Sequence, residues 1–467
     1  MCGKNVGGGR VGRFFEFEAL GTNYRREVIG GLTTFVTMAY IIVVNPAILA
    51  AAGIPIGPST IATIVAAVIG TLAMGLYAKR PIGVAPYMGE NAFIAFTVCL
   101  GMGFTWQQGL GAVFIGGVIF IVITALKLRT WLAQSIPISL RYGFAAAIGL
   151  FLAFIGLYES GIVTSFVSGM PIEALSDAGG HILRCPSVPV KMGQVGDPWV
   201  LLALLCFAVI VVLMALRVRG AMLIGMAVTA VIGFLAGHGQ VPDGIVALPF
   251  VGDYSLGAIA FKLDIPGALS VAFIPVLLTV FLMDFLDTIG TLYGVGAAGD
   301  LLDENGDFPD MQRPMMADAV ASVAGALLGT TTTGAYIESA TGIKEGGRSG
   351  FSAVVTALAF ALCLFFIPLI KPLQGLTYVY GPPLVVVGIL MLGSIRRIDF
   401  DELTECVPSV VTILLVIFTY NIGNGLTAGI ITYVLLKTVV GRFREVSGGM
   451  WVLAALSLVY YMFGVVH

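Results

Sequence analysis

Apolar runs recur along the whole chain. They fall near residues 32–52, 59–77, 84–99, 108–126, 138–157, 198–216 and 221–237, and again near 268–293, 316–328, 334–343, 351–369, 376–395, 407–421 and 424–440. A helix needs roughly 20 apolar residues to cross a bilayer, and the connections between these runs gather most of the Arg and Lys residues. The pattern predicts an all-α membrane protein of about fourteen transmembrane segments. A last apolar stretch, residues 450–464, is either a further span or a helix docked on the bundle.

Two runs are interrupted. Residues 83–93 read GVAPYMGENAF and residues 329–339 read GTTTTGAYIES. Gly, Pro and Thr at membrane depth do not continue a helix, and irregular backbone survives there only when it is buried in protein or lines a wet cavity. Paired interrupted segments, one in each half, are the best pointer in a sequence to a transporter's binding site. A helix starting after each break would aim free N–H groups at the midplane.

Composition agrees with the pattern. The 467 residues are 58% hydrophobic and 11% charged, with a mean hydropathy of +1.00, whereas a soluble domain carries about 25% charged residues. The net charge of −2 suggests neither a nucleic-acid surface nor an acidic tail. The glycine-rich, basic opening is expected to be cytoplasmic, not a cleaved leader. Alternating fourteen segments from a cytoplasmic N-terminus puts 20 of the 24 Lys and Arg residues inside, leaving only Arg184, Lys191, Lys262 and Lys371 outside. The positive-inside rule asks for such a bias. Seven segments followed by seven make the halves inverted repeats. Tyr142-Gly143 is echoed by Tyr380-Gly381, and the turn at 217–220 by the turn at 421–425.

Chemistry at membrane depth is acidic. Asp284, Asp287, Thr288 and Thr291 follow i, i+3, i+4, i+7 spacing and form one polar stripe on a helix. A carboxylate at the bilayer centre costs about 2.5–3.5 kcal/mol on insertion scales, so such acids usually mark solute or proton paths. Glu338 lies in the second interrupted segment, as a proton carrier or as a cap on a half-helix. Glu90 and Asn91 hold the matching place in the first. Asn91 offers a donor and an acceptor suited to a heterocycle edge, and Glu90 reads as structural or gating. Phe93, Phe96 and Tyr336 are candidates to stack on a flat ring.

The six cysteines (Cys2, Cys99, Cys185, Cys206, Cys363, Cys406) and three histidines (His181, His238, His467) have no ligand spacing. Neither a metal site nor any cofactor is expected beyond a coupling proton. The letters GVGAAG at 294–299 match a dinucleotide fingerprint but lack its strand–turn–helix context.

These residues also resemble a known family. The motifs at 14–17, 22–27 and 37–46, the run 75–83 followed by MGENAF at 88–93, DFLDTIGTLY at 284–293, and the threonines at 330–333 leading to Glu338, Ser339 and Gly342 are similar to the AzgA-like purine permeases. These belong to the nucleobase–ascorbate transporter superfamily of nucleobase:cation symporters. The resemblance implies a proton-coupled importer of adenine, guanine or hypoxanthine, working by an elevator-like movement in the plasma or inner membrane.

It also implies a division of the chain. Residues 1–31 form a cytoplasmic segment, 32–126 and 268–369 the two halves of a core domain, 138–237 and 376–440 the two halves of a gate domain, and 441–467 a C-terminal segment. Asp287, Glu338 and Asn91 match the substrate-binding positions, with Asp284, Phe93 and Tyr336 beside them. Asp284, Asp287 and Glu338 are the candidates for the proton. The resemblance implies an apolar residue where this chain has Glu90, a departure that bears on the substrate preference and not on the class. A homodimer is expected by analogy, and a sulfate-like anion carrier on the same fold is the alternative reading.

Overall fold

The computed structural model describes residues 9–166, 190–239, 244–299 and 310–464, with 242, 301, 302 and 308. Cys2, Cys185, His181, His467, Lys4, Arg184, Asp300 and Asp303 lie outside them.

The bundle is helical, and among the described residues eight helical stretches are long and apolar enough to cross a membrane. In chain order these are α1 (Tyr24–Met38) running on into α2 (Ile41–Ala51); α3 (Ile56–Leu72), which loosens into a π-helix to Tyr77; α5 (Trp106–Ala125), after a short α4 (Met88–Ala92); α7 (Ile138–Glu159), after α6 (Leu128–Ser135); α8 (Pro198–Ala215), followed by a shorter α9 (Ala221–Leu235); α10 (Ile274–Ala298); α15 (Thr377–Leu392); and α17 (Ile422–Val439). Between them sit α11 (Gln312–Leu328), α12 (Ser339–Lys344), α13 (Gly350–Cys363), α14 (Ile367–Gln374), α16 (Leu403–Phe418) and a final α18 (Gly448–Gly464).

One predicted span is corrected. Residues 351–369 are not a single straight helix, because α13 ends at Cys363 and α14 leaves it at 83°. Pro368 opens α14 and has no N–H for the preceding turn. The segments at 84–99 and 334–343 are also not helical throughout. Each opens on a three-residue strand: β1 (Val84–Pro86) before α4, which runs on as a π-helix to Gly101, and β4 (Thr333–Ala335) before the short α12. A separate hairpin pairs β2 (Val163–Ser165) with β3 (Val190–Met192).

The helices pack in two groups. In one, α13 lies against α1 and α3, and α11 against α3 and α5; in the other, α15 crosses α7 and α8, and α16 packs on α7 and α17. Lipid tails supply no hydrophobic drive between helices, so close contact relies on small residues. The α7–α15 crossing uses glycines. A Cβ at Gly388 would stand 2.3 Å from the Gly149 carbonyl oxygen, and one at Gly156 would stand 2.7 Å from that of Gly381.

The ends are tied to the bundle. Glu27, fully buried, accepts the backbone N–H groups of Arg348 (3.0 Å), Ser349 (3.2 Å) and Ser352 (3.2 Å), capping α13 from α1. α18 docks on α10 and α17, where Tyr460 donates to Asn424 Oδ1 at 2.7 Å.

Candidate functional site

The two interrupted segments meet. β1 and β4 pair antiparallel, with Val84 opposite Ala335, Ala85 opposite Gly334 and Pro86 opposite Thr333. The ladder extends past both strands: Tyr87 N–H donates to the Thr332 carbonyl (2.8 Å) and Tyr336 N–H to that of Gly83 (3.0 Å). Pro86 cannot donate, but its carbonyl accepts the Tyr336 hydroxyl. The Tyr336 ring lies parallel to that of Tyr87, 6.2 Å apart. Two strands so short would not stand alone, and side chains from the helices behind complete their bonding. Thr71 exchanges hydrogen bonds with both the N–H and the carbonyl of Val84 at 2.9 Å. Ser322 donates to the Thr333 carbonyl at 3.1 Å, and the Ser339 hydroxyl accepts the Gly83 N–H at 2.9 Å.

Asp318 of α11 anchors this platform from below. It is fully buried, and its Oδ1 accepts the Ala335 N–H (3.1 Å) while Oδ2 accepts the Thr288 hydroxyl (2.5 Å). Thr288 also reaches Asp284 Oδ1 at 3.3 Å. The polar stripe of α10 is thereby joined to the β4 strand through one carboxylate.

The predicted residues divide by exposure. Asp284, Glu90, Asn91 and Phe93 are buried, whereas Asp287 and Glu338 are partly exposed beside the accessible Gly290 and Ile337. Phe93 and Phe96 pack into the apolar core. Glu338 stands at the head of α12 but makes no side-chain cap; it accepts the Tyr40 hydroxyl at 2.9 Å. Asn91 donates to Asn45 Oδ1, and Asn45 in turn donates to Thr63 (2.7 Å) and Thr330 (3.1 Å). Glu338, Glu90 and Asp287 all lie within electrostatic range of Tyr336, and Asp287, Asp284 and Asp318 within range of Glu90. The acids of α4, α10, α11 and α12 therefore share one region.

Buried polar atoms without partners gather in the same place. Six of the ten found among the described residues belong to the interrupted segments: Tyr87 OH, both Glu90 carboxyl oxygens, Asn91 Oδ1, and the hydroxyls of Thr331 and Thr332. Buried polar atoms are normally bonded, so such a concentration marks surface built for something other than the fold. Among the described residues, no group of His, Cys, Asp and Glu has the arrangement of a metal site.

Asp318, Asn45, Tyr40 and Tyr87 escape the sequence reading. Asp318 alone carried a usable signal, a carboxylate near the start of the apolar run 316–328. The others become visible only through partners far along the chain.

A helical membrane bundle whose two interrupted segments converge on buried acids is the framework of a solute carrier. Residues 25–430 match the Permease family model Xan_ur_permease, and the chain belongs to that family, the nucleobase–ascorbate transporters. It is an integral multi-pass membrane transporter, not an enzyme. The adenine permease AdeQ of Escherichia coli is 36% identical to it over 96% of this chain and 95% of its own. The guanine/hypoxanthine permease PbuO of Bacillus subtilis is 38% identical over 95% and 99%. The transmembrane domain of the cyanobacterial bicarbonate transporter BicA superposes with a TM-score of 0.55 at 16% identity, covering 91% of this chain and 97% of that one. At that identity the likeness concerns the fold alone.

Proposed function

We propose that this chain is a proton-coupled carrier that imports purine nucleobases across the plasma or inner membrane. The observation that carries the reading is the set of unpartnered acceptors and hydroxyls where the two interrupted segments pair, ringed by carboxyls. A purine offers N–H donors and ring acceptors on a flat face, and such a site offers the complements. The adenine and guanine/hypoxanthine permeases among its relatives support the same class of passenger.

In this account Asp287 and Glu338, the partly exposed acids, accept purine N–H groups as the base arrives past Gly290 and Ile337. Asn91 reads a ring edge with its free oxygen, and Tyr336 forms a wall, backed by Phe93. One of Asp284, Asp287 and Glu338 takes the proton. Protonation removes a charge that would otherwise be costly to carry through the bilayer, so base and proton move together.

The moving part is the core, residues 32–126 with 268–369, sliding past a gate of 138–237 with 376–440. The grouping of helix contacts supports that division, and the antiparallel pairing of β1 with β4 suits an inverted repeat of seven plus seven segments with its axis between them. The N-terminus is cytoplasmic, and the working unit is a homodimer. A sulfate-like anion carrier would want a cation at the midplane, and the site presents carboxyls.

The test is uptake of labelled adenine, guanine and hypoxanthine, set against sulfate, in cells lacking their own purine permeases and with and without a protonophore. Purine accumulation that the protonophore abolishes is the expected result. Sulfate accumulation without a purine signal would overturn the reading.

A further inference from the structure

Glu90 is fully buried, yet neither carboxyl oxygen has a hydrogen-bond partner. The ionisable groups acting on it are other acids, Asp287 foremost, then Asp284 and Asp318. A structural carboxyl at this depth would be expected to take a basic side chain or backbone N–H groups, as Glu27 does at the head of α13. Glu90 has neither. It stands one residue before Asn91 and within electrostatic range of Tyr87 and Tyr336, so it belongs to the same cluster of unpartnered atoms.

We propose that Glu90 is a specificity-determining residue that reads a pair of adjacent N–H donors on the passenger. The inference rests on the purine-carrier reading and narrows its substrate class. A carboxylate with both oxygens free accepts two parallel N–H bonds, the geometry it adopts with a guanidinium fork. Among purine bases, the ring N1–H beside an exocyclic 2-amino group supplies such a pair, as in guanine. Hypoxanthine lacks the amino group, adenine sets its amino group beside a ring acceptor, and xanthine sets its N1–H between two carbonyls. A site built around buried acceptors rejects a ligand that leaves them unpaired far more strongly than it rejects a small change in apolar shape. The chain is therefore selective for 2-amino-6-oxopurines.

The experiment is competition of labelled guanine uptake by unlabelled guanine, hypoxanthine, adenine and xanthine, in wild type and in Glu90→Gln. Gln keeps the size and turns one acceptor into a donor. Wild type should prefer guanine to hypoxanthine by about tenfold or more, the size expected for one well-placed hydrogen bond to a buried charge. Glu90→Gln should erase the preference by weakening guanine while leaving hypoxanthine within about twofold. Membrane protein level and melting temperature are measured alongside, and Glu90→Leu replaces the Gln variant if the latter does not accumulate. A guanine preference unchanged by either substitution, or absent from wild type, overturns the assignment while leaving purine transport intact. Failure of wild type to take up any purine would instead sink the carrier reading itself.

Discussion

Asp318 joins the two halves of the site, since one oxygen holds the β4 backbone and the other the α10 stripe. Asp318→Ala removes both acceptors, so the Ala335 N–H is left without a partner and the Thr288 hydroxyl keeps only Asp284. A buried unsatisfied group costs about 1–3 kcal/mol. Purine uptake is expected to fall by about ten- to a hundredfold, which a saturation curve at normal surface expression would check. Asp287→Asn and Glu338→Gln act differently, because these partly exposed carboxyls are placed to meet the solute. Both should abolish uptake while the protein still inserts, and wild-type rates in either would remove that residue from the mechanism. Asp284, Asp287 and Glu338 were legible in the sequence because a carboxyl within an apolar run is expensive and conspicuous. Asp318 obeys the same rule but stands near the start of its run, where it passes for a flank. Asn45 and Tyr40 carry no such signal, since an amide or a phenol in a span is unremarkable until its partner is known.

At the scale of elements, the interruption of the third and tenth segments was readable from Gly, Pro and Thr, but their pairing was not. β1 and β4 are three residues each, lie far apart in the chain, and have no alternating pattern to set a register. What fixes them is the support from Thr71, Ser322 and Asp318, together with the closeness that Gly334 permits: a Cβ there would stand 2.4 Å from the Tyr87 ring. Gly334→Ala should therefore separate the strands and eliminate uptake. Normal transport by that variant would mean the pairing is not needed for function. The α7–α15 crossing makes a parallel case. Gly388→Ala would press a methyl group onto the Gly149 carbonyl, and overpacking of this kind costs about 1–3 kcal/mol. A lowered melting temperature in detergent, with little change in KM, is expected. The bend between α13 and α14 had one sequence signal, Pro368, which was passed over because the residues across the bend are as apolar as those on either side.

For the whole molecule, sidedness is proposed from charge, which is what a bilayer sorts. Ion pairs respect the alternation read from the sequence. Lys79–Glu16 at 2.7 Å and Arg219–Glu345 at 2.5 Å join segments assigned to the inside, and Lys371–Asp253 at 4.0 Å joins segments assigned to the outside. A cysteine at Asp253 should react with an impermeant thiol reagent in intact cells, and one at Arg219 only after permeabilisation. The reverse pattern would invert the topology. A hydrogen bond from Arg442, with two more from Thr404, holds the Glu402 carboxyl down at about 2, so that contact is kept throughout the physiological pH range. The central claim is that paired interrupted segments and their carboxyls carry a purine together with a proton. Its most direct measurement is guanine uptake into proteoliposomes under an imposed inward proton gradient, comparing wild type with Glu338→Gln. Accumulation above equilibrium is expected in the first, dissipated by a protonophore, and none in the second. Equal accumulation in both, or uptake indifferent to the gradient, would contradict the central claim.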